Sequence, residues 1–598
     1  MRSRLLATSW FALLALFVAP AQAADPAKVI RIAWPVAEGV FDPLRQADIF
    51  TAALVESVFD AMLQYDYLAR PAKLIPNTVE SLPEISADGT EYTFHLRRGI
   101  YFTDDPAFNG KARELTAQDY AYSLRRHFDP HWRSPWLFQY DRKILGANEA
   151  MARAAKTGHF DYDAPIAGLE VLDRYTLRIR LTEPDYTFIY AIATPASSAI
   201  AREVVEKYGD DVGAHPVGTG PFRLATWQRL TRIVLEANPG FRETRFEAEP
   251  GDDPKAQAIY ARNRGKLLPL VGGIEFDVVE ETQPRWLAFL NGEQDIMERV
   301  PYEYINQAAP GGKLTPNLAR RGVSALRQKD VSILYTFFNM DDPVIGGYTP
   351  EKIALRRAIS FGFDRDKEIA VIRNGEAVKV EQPIGPGVAG FDPEFRNPMN
   401  TYDPARAKAL LDLFGYVDRD GDGYRELPDG SPLTIELAST QVLLDKQYDE
   451  LWKRSMDAIG IHMTFRKSTY QDLASAALLG KLQMRSTGWV ANVPDATNFL
   501  QQLYGPNSGG YNYARFRLPA FDRLYEKAKR MPQSPARDAV VREMSRLVAV
   551  YAPWKLGTTR IETYLTQPWV IGYVPHPIMR SVLRYVDVDP SLRPAGGH

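Results

Sequence analysis

An α/β fold with mixed sheets, spread over more than one compact unit, is what this sequence predicts. Three observations predict it. Period-two apolar runs and helical-period runs are mixed along the whole chain. No internal repeat or low-complexity linker interrupts them. At 598 residues the chain is too long for one hydrophobic core, which suggests about three or four domain-sized units or two large lobes.

The N-terminus carries a processing signal. Met1-Arg2-Ser3-Arg4 is basic, Leu5 to Val18 is apolar, and Ala21-Gln22-Ala23 precedes Ala24 as a small-residue cleavage motif. Residues 1–23 therefore read as a Sec-type signal peptide, too short and wrongly flanked for a spanning helix. After Ala24 no window approaches about 18 uninterrupted apolar residues, so the mature chain is expected to be soluble. Cysteine is absent. An exported chain without disulfides needs a core large enough to stand unaided, and without cysteine it has no lipid anchor. An unanchored exported protein would be lost from a cell with one membrane, so the Gram-negative periplasm is the expected location.

The elements follow in order. Val29 to Trp34 reads as a strand. A turn at Phe41-Asp42-Pro43 leads to a helix from Ile49 to Tyr65, with Leu54, Val58 and Met62 at helical spacing. Glu91 to Arg97 and Leu177 to Leu181 alternate with period two, as strands do. Thr116 is placed to cap a helix running through Arg126. Val217-Gly218-Thr219-Gly220-Pro221-Phe222 is a tight glycine turn before a strand from Phe222 to Trp227. Later come a strand Ile333 to Asn339, a helix Glu351 to Ser360, and a helix Pro404 to Phe414 with proline in its first turn. Leu433 to Leu437 and Leu482 to Thr487 read as strands. Val540, Met544, Leu547, Val548 and Tyr551 form one helical stripe.

Composition removes several function classes. With 45% hydrophobic and 24% charged residues the chain is globular in type. Its net charge is −2; without Arg2 and Arg4 the mature chain is −2 − 2 = −4. There is no basic footprint for nucleic acid. No nucleophile elbow, Walker loop, dinucleotide fingerprint or zinc-protease motif appears. With no Cys and eight scattered His, no catalytic constellation emerges, and the chain is read as a non-enzyme. An exported hydrolase using an Asp/Glu pair stays open, since such pairs are invisible in one sequence.

The segment Gly488-Trp489-Val490-Ala491-Asn492-Val493-Pro494-Asp495 joins an apolar strand to a helix starting at Phe499-Leu500. Trp beside Gly on extended chain suits a ligand lying along main chain, and it equally suits a strand-to-helix corner. Both readings stand at this point.

Eight segments in order resemble the bacterial extracellular solute-binding proteins of family 5, whose known members include the oligopeptide- and dipeptide-binding proteins of ABC importers. They are Asp88 to Gly99 with Leu115 to Tyr120; Asp129-Pro130 with Ser134-Pro135-Trp136; Tyr175-Thr176-Leu177 with Leu181 to Pro184; Val217 to Phe222; Asn339 with Leu355 to Ser360; Asp364-Arg365; Tyr402 to Ala405 with Ala407-Lys408; and Gly488-Trp489. The resemblance implies a two-lobe periplasmic binding protein fold. Lobe I would cover 24–335 with an extra subdomain at about 60–195, lobe II would cover 336–554, and 555–598 would return to lobe I. The crossings are expected near Tyr335-Thr336 and Trp554-Lys555. It further implies a monomer that closes on a peptide or peptide-like solute and docks on an inner-membrane permease. A chaperone or a sensor-coupled receptor on the same fold is the other reading.

In the oligopeptide-binding branch the ligand adds as an extended strand. The matching backbone here is Thr487, Gly488, Trp489, Val490 and Ala491, and Trp136 matches the aromatic after the family's Ser-Pro pair. The acid that holds the ligand's α-ammonium, three residues after the Trp, is replaced by Asn492. A second acid, five positions after the Asp-Pro turn, is replaced by Ala47. Asp495 and Asp48 lie near enough in sequence to substitute. Otherwise the ligand lacks a free ammonium, as a blocked peptide, an opine-like conjugate, a glycan or a metal chelate would. Asn492 both donates and accepts, which fits an uncharged group; it also fits a residue that merely caps the turn.

Two metal patterns occur. Asp418, Asp420, Asp422 and Asp429 match positions 1, 3, 5 and 12 of an EF-hand loop, with Asp in place of the bidentate Glu and Pro428 inside the loop. A structural Ca²⁺ and a solvated hairpin turn are both compatible with it, and no other cofactor is expected. His127 and His131 are spaced by four, but Pro130 is expected to break their helix.

Overall fold

The computed structural model describes residues 24–46 and 48–593; the signal-peptide reading of residues 1–23 and the Ala47 position fall outside them. Val29–Trp34 forms a strand near the middle of an eight-stranded mixed sheet. It pairs in parallel with Gly273–Val278 on one side and Ile296–Met297 on the other. Arg232–Ala237 and Phe222–Gln228 extend the first side. Thr558–Thr566 extends the second and pairs with both Ser324–Lys329 and Ala377–Lys379. Strands from the two ends of the chain thus share one sheet.

A second, five-stranded sheet runs in the order His462–Lys467, Thr434–Ser439, Met484–Val490, Ser332–Phe338, Trp554–Leu556. Helices Pro350–Gly362, Pro404–Leu413 and Leu443–Asp457 cover it through a core that includes Phe338, Leu355, Ile359, Ile435, Trp452 and Met456. A four-stranded sheet, Glu84–Ile85, Glu91–His95, Thr176–Arg180, Leu169–Asp173, shares the first sheet's core.

The chain passes between the two large sheets four times, because Ala377–Lys379 pairs with Thr558–Thr566 between two stretches in the second sheet. It first leaves the first sheet after Lys329 and enters the second at Ser332; its last return is between Leu556 and Thr558. Tyr335 and Thr336 sit inside one crossing strand, Trp554 and Lys555 inside the other. The return pivots on Gly557, whose N–H donates to Leu334 O at 2.9 Å. A Cβ at Gly557 would stand 2.6 Å from that same oxygen, so the approach admits only glycine.

Helix Ala117–Arg126 starts at its Thr116 cap, where Asp119 completes a capping box. The helix expected from Ile49 to Tyr65 is shorter, Ile49–Val58, and Leu63–Tyr65 is a strand. Tertiary contacts override the local pattern. Gly220 N caps Val58 O at 2.8 Å, and Cβ atoms at Gly218 and Gly220 would strike that carbonyl. Just beyond, buried Asp60 binds Arg242 Nη1 (2.7 Å), Thr219 Oγ1 (2.9 Å) and Asn77 Nδ2 (2.9 Å), which holds the chain extended. The late stripe lies on helix Pro535–Tyr551, with Val540, Met544 and Val548 buried. Among the described residues no helix is long and apolar enough to cross a membrane.

Candidate functional site

Strand Met484–Val490 has one complete neighbour and one partial neighbour. Ser332–Phe338 pairs with its whole length, from Phe338↔Met484 to Ser332↔Val490. Thr434–Ser439 pairs with it only at Met484 and Arg485. Backbone groups alternate sides along a strand. The Ala491 N–H points to Val331 O at 2.8 Å, so Ser486, Gly488 and Val490 face the opposite edge; the bridge Ala438↔Arg485 takes up the Ser486 N–H, and Gly488 and Val490 stand unpaired among the described residues. A Cβ at Gly488 would stand 2.5 Å from Leu334 Cδ2 and 3.1 Å from Ile333 O, so a larger residue would have to displace the Leu334 side chain.

That edge borders a cavity of about 370 Å³. Thr487, Gly488 and Val490 line it, together with Gly557 and Arg560 from the crossing and Trp452 from the helix Leu443–Asp457. A smaller cavity of about 140 Å³ lies on the first sheet's side, lined by Phe50, Glu298, Arg299 and Arg580 among others. Arg580 reaches across, its Nη2 donating to Ala491 O at 3.3 Å. Burial lifts the Glu298 carboxyl above its usual range despite its bond from Tyr573.

Trp489 is half-buried, and its Nε1 donates to Asn498 Oδ1 at 2.9 Å. Asn498 Nδ2 donates in turn to Asn492 Oδ1 at 2.5 Å. Asn498 therefore fixes both residues, and Asn492 keeps its own amide N–H₂ free of protein partners among the described residues. Trp136 is half-buried; its Nε1 donates to Gln46 O at 2.6 Å. An aromatic chain links the two tryptophans: Trp136–Phe138 at 6.1 Å, Phe138–Tyr511 at 5.5 Å and Tyr511–Trp489 at 5.4 Å. It joins the four-stranded-sheet region to the second sheet, and the Glu183 pairs with Lys529 (2.6 Å) and Arg530 (2.7 Å) do the same at the rim. Phe138, Asn498 and Tyr511 gave no sequence signal, since their neighbours come from distant segments.

The two nearby acids are engaged elsewhere. Asp495 is buried, and its two oxygens each bind the Arg537 guanidinium at 2.8 Å. Asp48 caps helix Ile49–Val58 by accepting from Phe50 N and Thr51 N, both at 2.9 Å. In this conformation neither offers a free carboxylate to a ligand. Replacing Asp48 by alanine is expected to lower stability by about 1 kcal/mol through loss of the cap, read as a lower thermal midpoint.

The acidic loop is exposed. Oxygens of Asp418, Asp420, Asp422 and Glu426 lie within 4.8 Å of one another. Asp429 stands outside this group, its carboxylate accepting from Ser431. Glu426 thus takes the place in which the spacing put Asp429. His127 and His131 form no pair. His127 is buried, bonded to Ser134 Oγ and Ala196 O, and burial lowers it to about 4; exposed His131 meets Asp210.

Known proteins match this architecture. The profile of the bacterial extracellular solute-binding proteins, family 5 Middle, matches residues 73–511, more than half of the chain. Di/tripeptide-binding protein 2 of Pseudomonas aeruginosa (strain UCBPP-PA14) is 25% identical over 563 residues, 91% of this chain and 91% of that protein. Heme-binding protein A of Haemophilus influenzae (strain ATCC 51907 / DSM 11121 / KW20 / Rd) is 24% identical over 519 residues, covering 85% and 83%. The solved structure of the ABC transporter-associated periplasmic binding protein DppA from Helicobacter pylori, in complex with peptide STSA, superposes with a TM-score of 0.70 at 21% identity, over 94% of this chain and 98% of that one. The chain belongs to the bacterial extracellular solute-binding proteins of family 5, and it carries their two-lobe α/β fold.

Proposed function

We propose that this protein is the periplasmic receptor of an ABC importer, capturing a peptide or peptide-like solute between two lobes and delivering it to an inner-membrane permease. The carrying observation is the unpaired edge of Gly488 and Val490 beside the larger cavity. Such an edge accepts an extended ligand through main-chain bonds that are indifferent to side-chain identity. The names of the relatives support a peptide cargo, and one relative named for heme keeps a non-peptide solute in view. Residues 1–23 would be removed on export, and the receptor would act as a monomer without a catalytic step.

The hinges in this reading are Asp330-Val331 and Gly557, and the ligand contacts are Trp136, Thr487, Trp489, Val490, Ala491 and Asn492. Closure would be held by the Trp136–Phe138–Tyr511–Trp489 chain. With Asn492 in place of an acid, and Asp48 and Asp495 engaged, the favoured ligand has no free α-ammonium. A charge-assisted hydrogen bond is worth about 1.5–3 kcal/mol against about 1 for a neutral one. Calorimetry is therefore expected to show N-acetylated tripeptides binding roughly ten-fold more tightly than free ones. The Asn492→Asp variant should reverse the order. Tight binding of unmodified peptides by the wild type would defeat the missing-anchor reading, and no binding of either class would defeat the peptide reading.

A further inference from the structure

Lys555 is 3% exposed, on the short strand Trp554–Leu556. Its ammonium lies 3.7 Å from the Phe363 ring centroid and 5.1 Å from that of Trp452, and the residue lines the larger cavity. No acceptor or carboxylate among the described residues bonds it. Glu368, the acid whose charge acts on it, instead accepts from Tyr448 OH (3.1 Å) and Thr558 Oγ1 (3.3 Å). A buried ammonium with three unused donors is costly in the empty protein. Aromatic faces attract the charge but accept no conventional hydrogen bond. The cavity that it lines is the side from which a ligand reaches it.

The surrounding charges favour an anion there. Arg373 and Arg485 line the same cavity, stacked on Tyr448 and Tyr470 and without an ion pair among the described residues. Arg560 is paired with Asp330 and Glu562, and Asp449 with Lys467. Asp445 accepts from Thr440, and Arg365, behind the cage, is bonded to Asn400 and Met399. Once the pairs are removed, Lys555, Arg373 and Arg485 outnumber Glu368 and Asp445 on the cavity wall.

We infer that the Phe363–Trp452 cage with Lys555 is a receptor for a carboxylate of the bound solute, and that Lys555 takes up a proton as the carboxylate enters. This deepens the solute-receptor reading and rests on it for the physiological ligand. Burial, and then Arg365, bring the empty-state Lys555 down to about 7. A carboxylate in contact raises it again. The complex then holds more protons than the free protein above about pH 7, so affinity is flat below that value and falls with rising pH, by roughly ten-fold per unit at most.

The test uses ligand-stripped full-length mature protein with acetate as the probe, reading the thermal midpoint in sodium acetate against sodium chloride at matched ionic strength. Acetate is expected to raise the midpoint at about pH 6.5 and to lose that effect by about pH 8.5. Lys555→Met should show no acetate effect at either pH. Lys555→Arg, permanently charged, should keep it at both. No acetate effect in the wild type, an equal effect in Lys555→Met, or an effect unchanged by pH in the wild type overturns the inference. Because acetate needs only the cage, this failure is separate from any failure of N-acetylated tripeptides to bind.

Discussion

Asp495→Ala is expected to destabilise the protein by about 3–5 kcal/mol, because it leaves the Arg537 guanidinium buried without its counter-charge. Both partners are almost fully enclosed, at 2% and 3% side-chain exposure. Arg537 also donates through Nε to Ala528 O (2.9 Å), so it cannot turn to water without disturbing the end of helix Pro519–Lys529. The same carboxylate accepts from Thr497 N at 2.8 Å, fixing the turn that follows strand Met484–Val490. Chemical denaturation should report the loss as a lower midpoint at unchanged slope. The companion measurement is Asp495→Asn with Arg537→Met, which removes both charges and should recover a large part of the stability. A single variant as stable as the wild type would show that the pair does not organise this corner.

The second large effect concerns binding. Trp489→Ala is expected to weaken binding of N-acetylated tripeptides by at least about 2 kcal/mol, roughly thirty-fold, as aromatic anchors at the centre of an interface do. Its ring is half-buried and meets Tyr511 at 5.4 Å, and its Nε1 holds Asn498. The truncation therefore removes a proposed ligand wall, one link of the aromatic chain, and the bond that helps orient Asn498 toward Asn492. Folding should survive, since the strand keeps its complete pairing with Ser332–Phe338. Unchanged affinity would remove this segment from the site.

Sequence reading recovered what local pattern encodes. The capped helix Ala117–Arg126, the strand after the glycine turn and the stripe on Pro535–Tyr551 all lie where spacing placed them. It failed where distant chain decides the outcome. Helix Ile49–Val58 stops because Gly218 and Gly220 press on Val58 O, and no window around residue 58 contains those glycines. The turn at Gly421–Gly423 brings Glu426 to the acidic group instead of Asp429, a matter of loop path rather than count. At the site, Gly488 and Trp489 were legible by resemblance, and Asn492 by its departure from the expected acid. The open edge was not, because it depends on where Thr434–Ser439 stops pairing. Lys555 did leave a trace, as a charge between Trp554 and Leu556 in an otherwise apolar strand, but only the fold shows that no carboxylate among the described residues bonds it.

The central claim is that an extended solute completes the edge of strand Met484–Val490. Amide hydrogen exchange with and without N-acetylated tripeptides tests it most directly, since unpaired amides exchange freely and paired ones are protected. The ligand is expected to slow exchange at Gly488 and Val490, with the already paired Ser486, Thr487, Trp489 and Gly557 little changed. Ligand binding that leaves Gly488 and Val490 exchanging as before would contradict it.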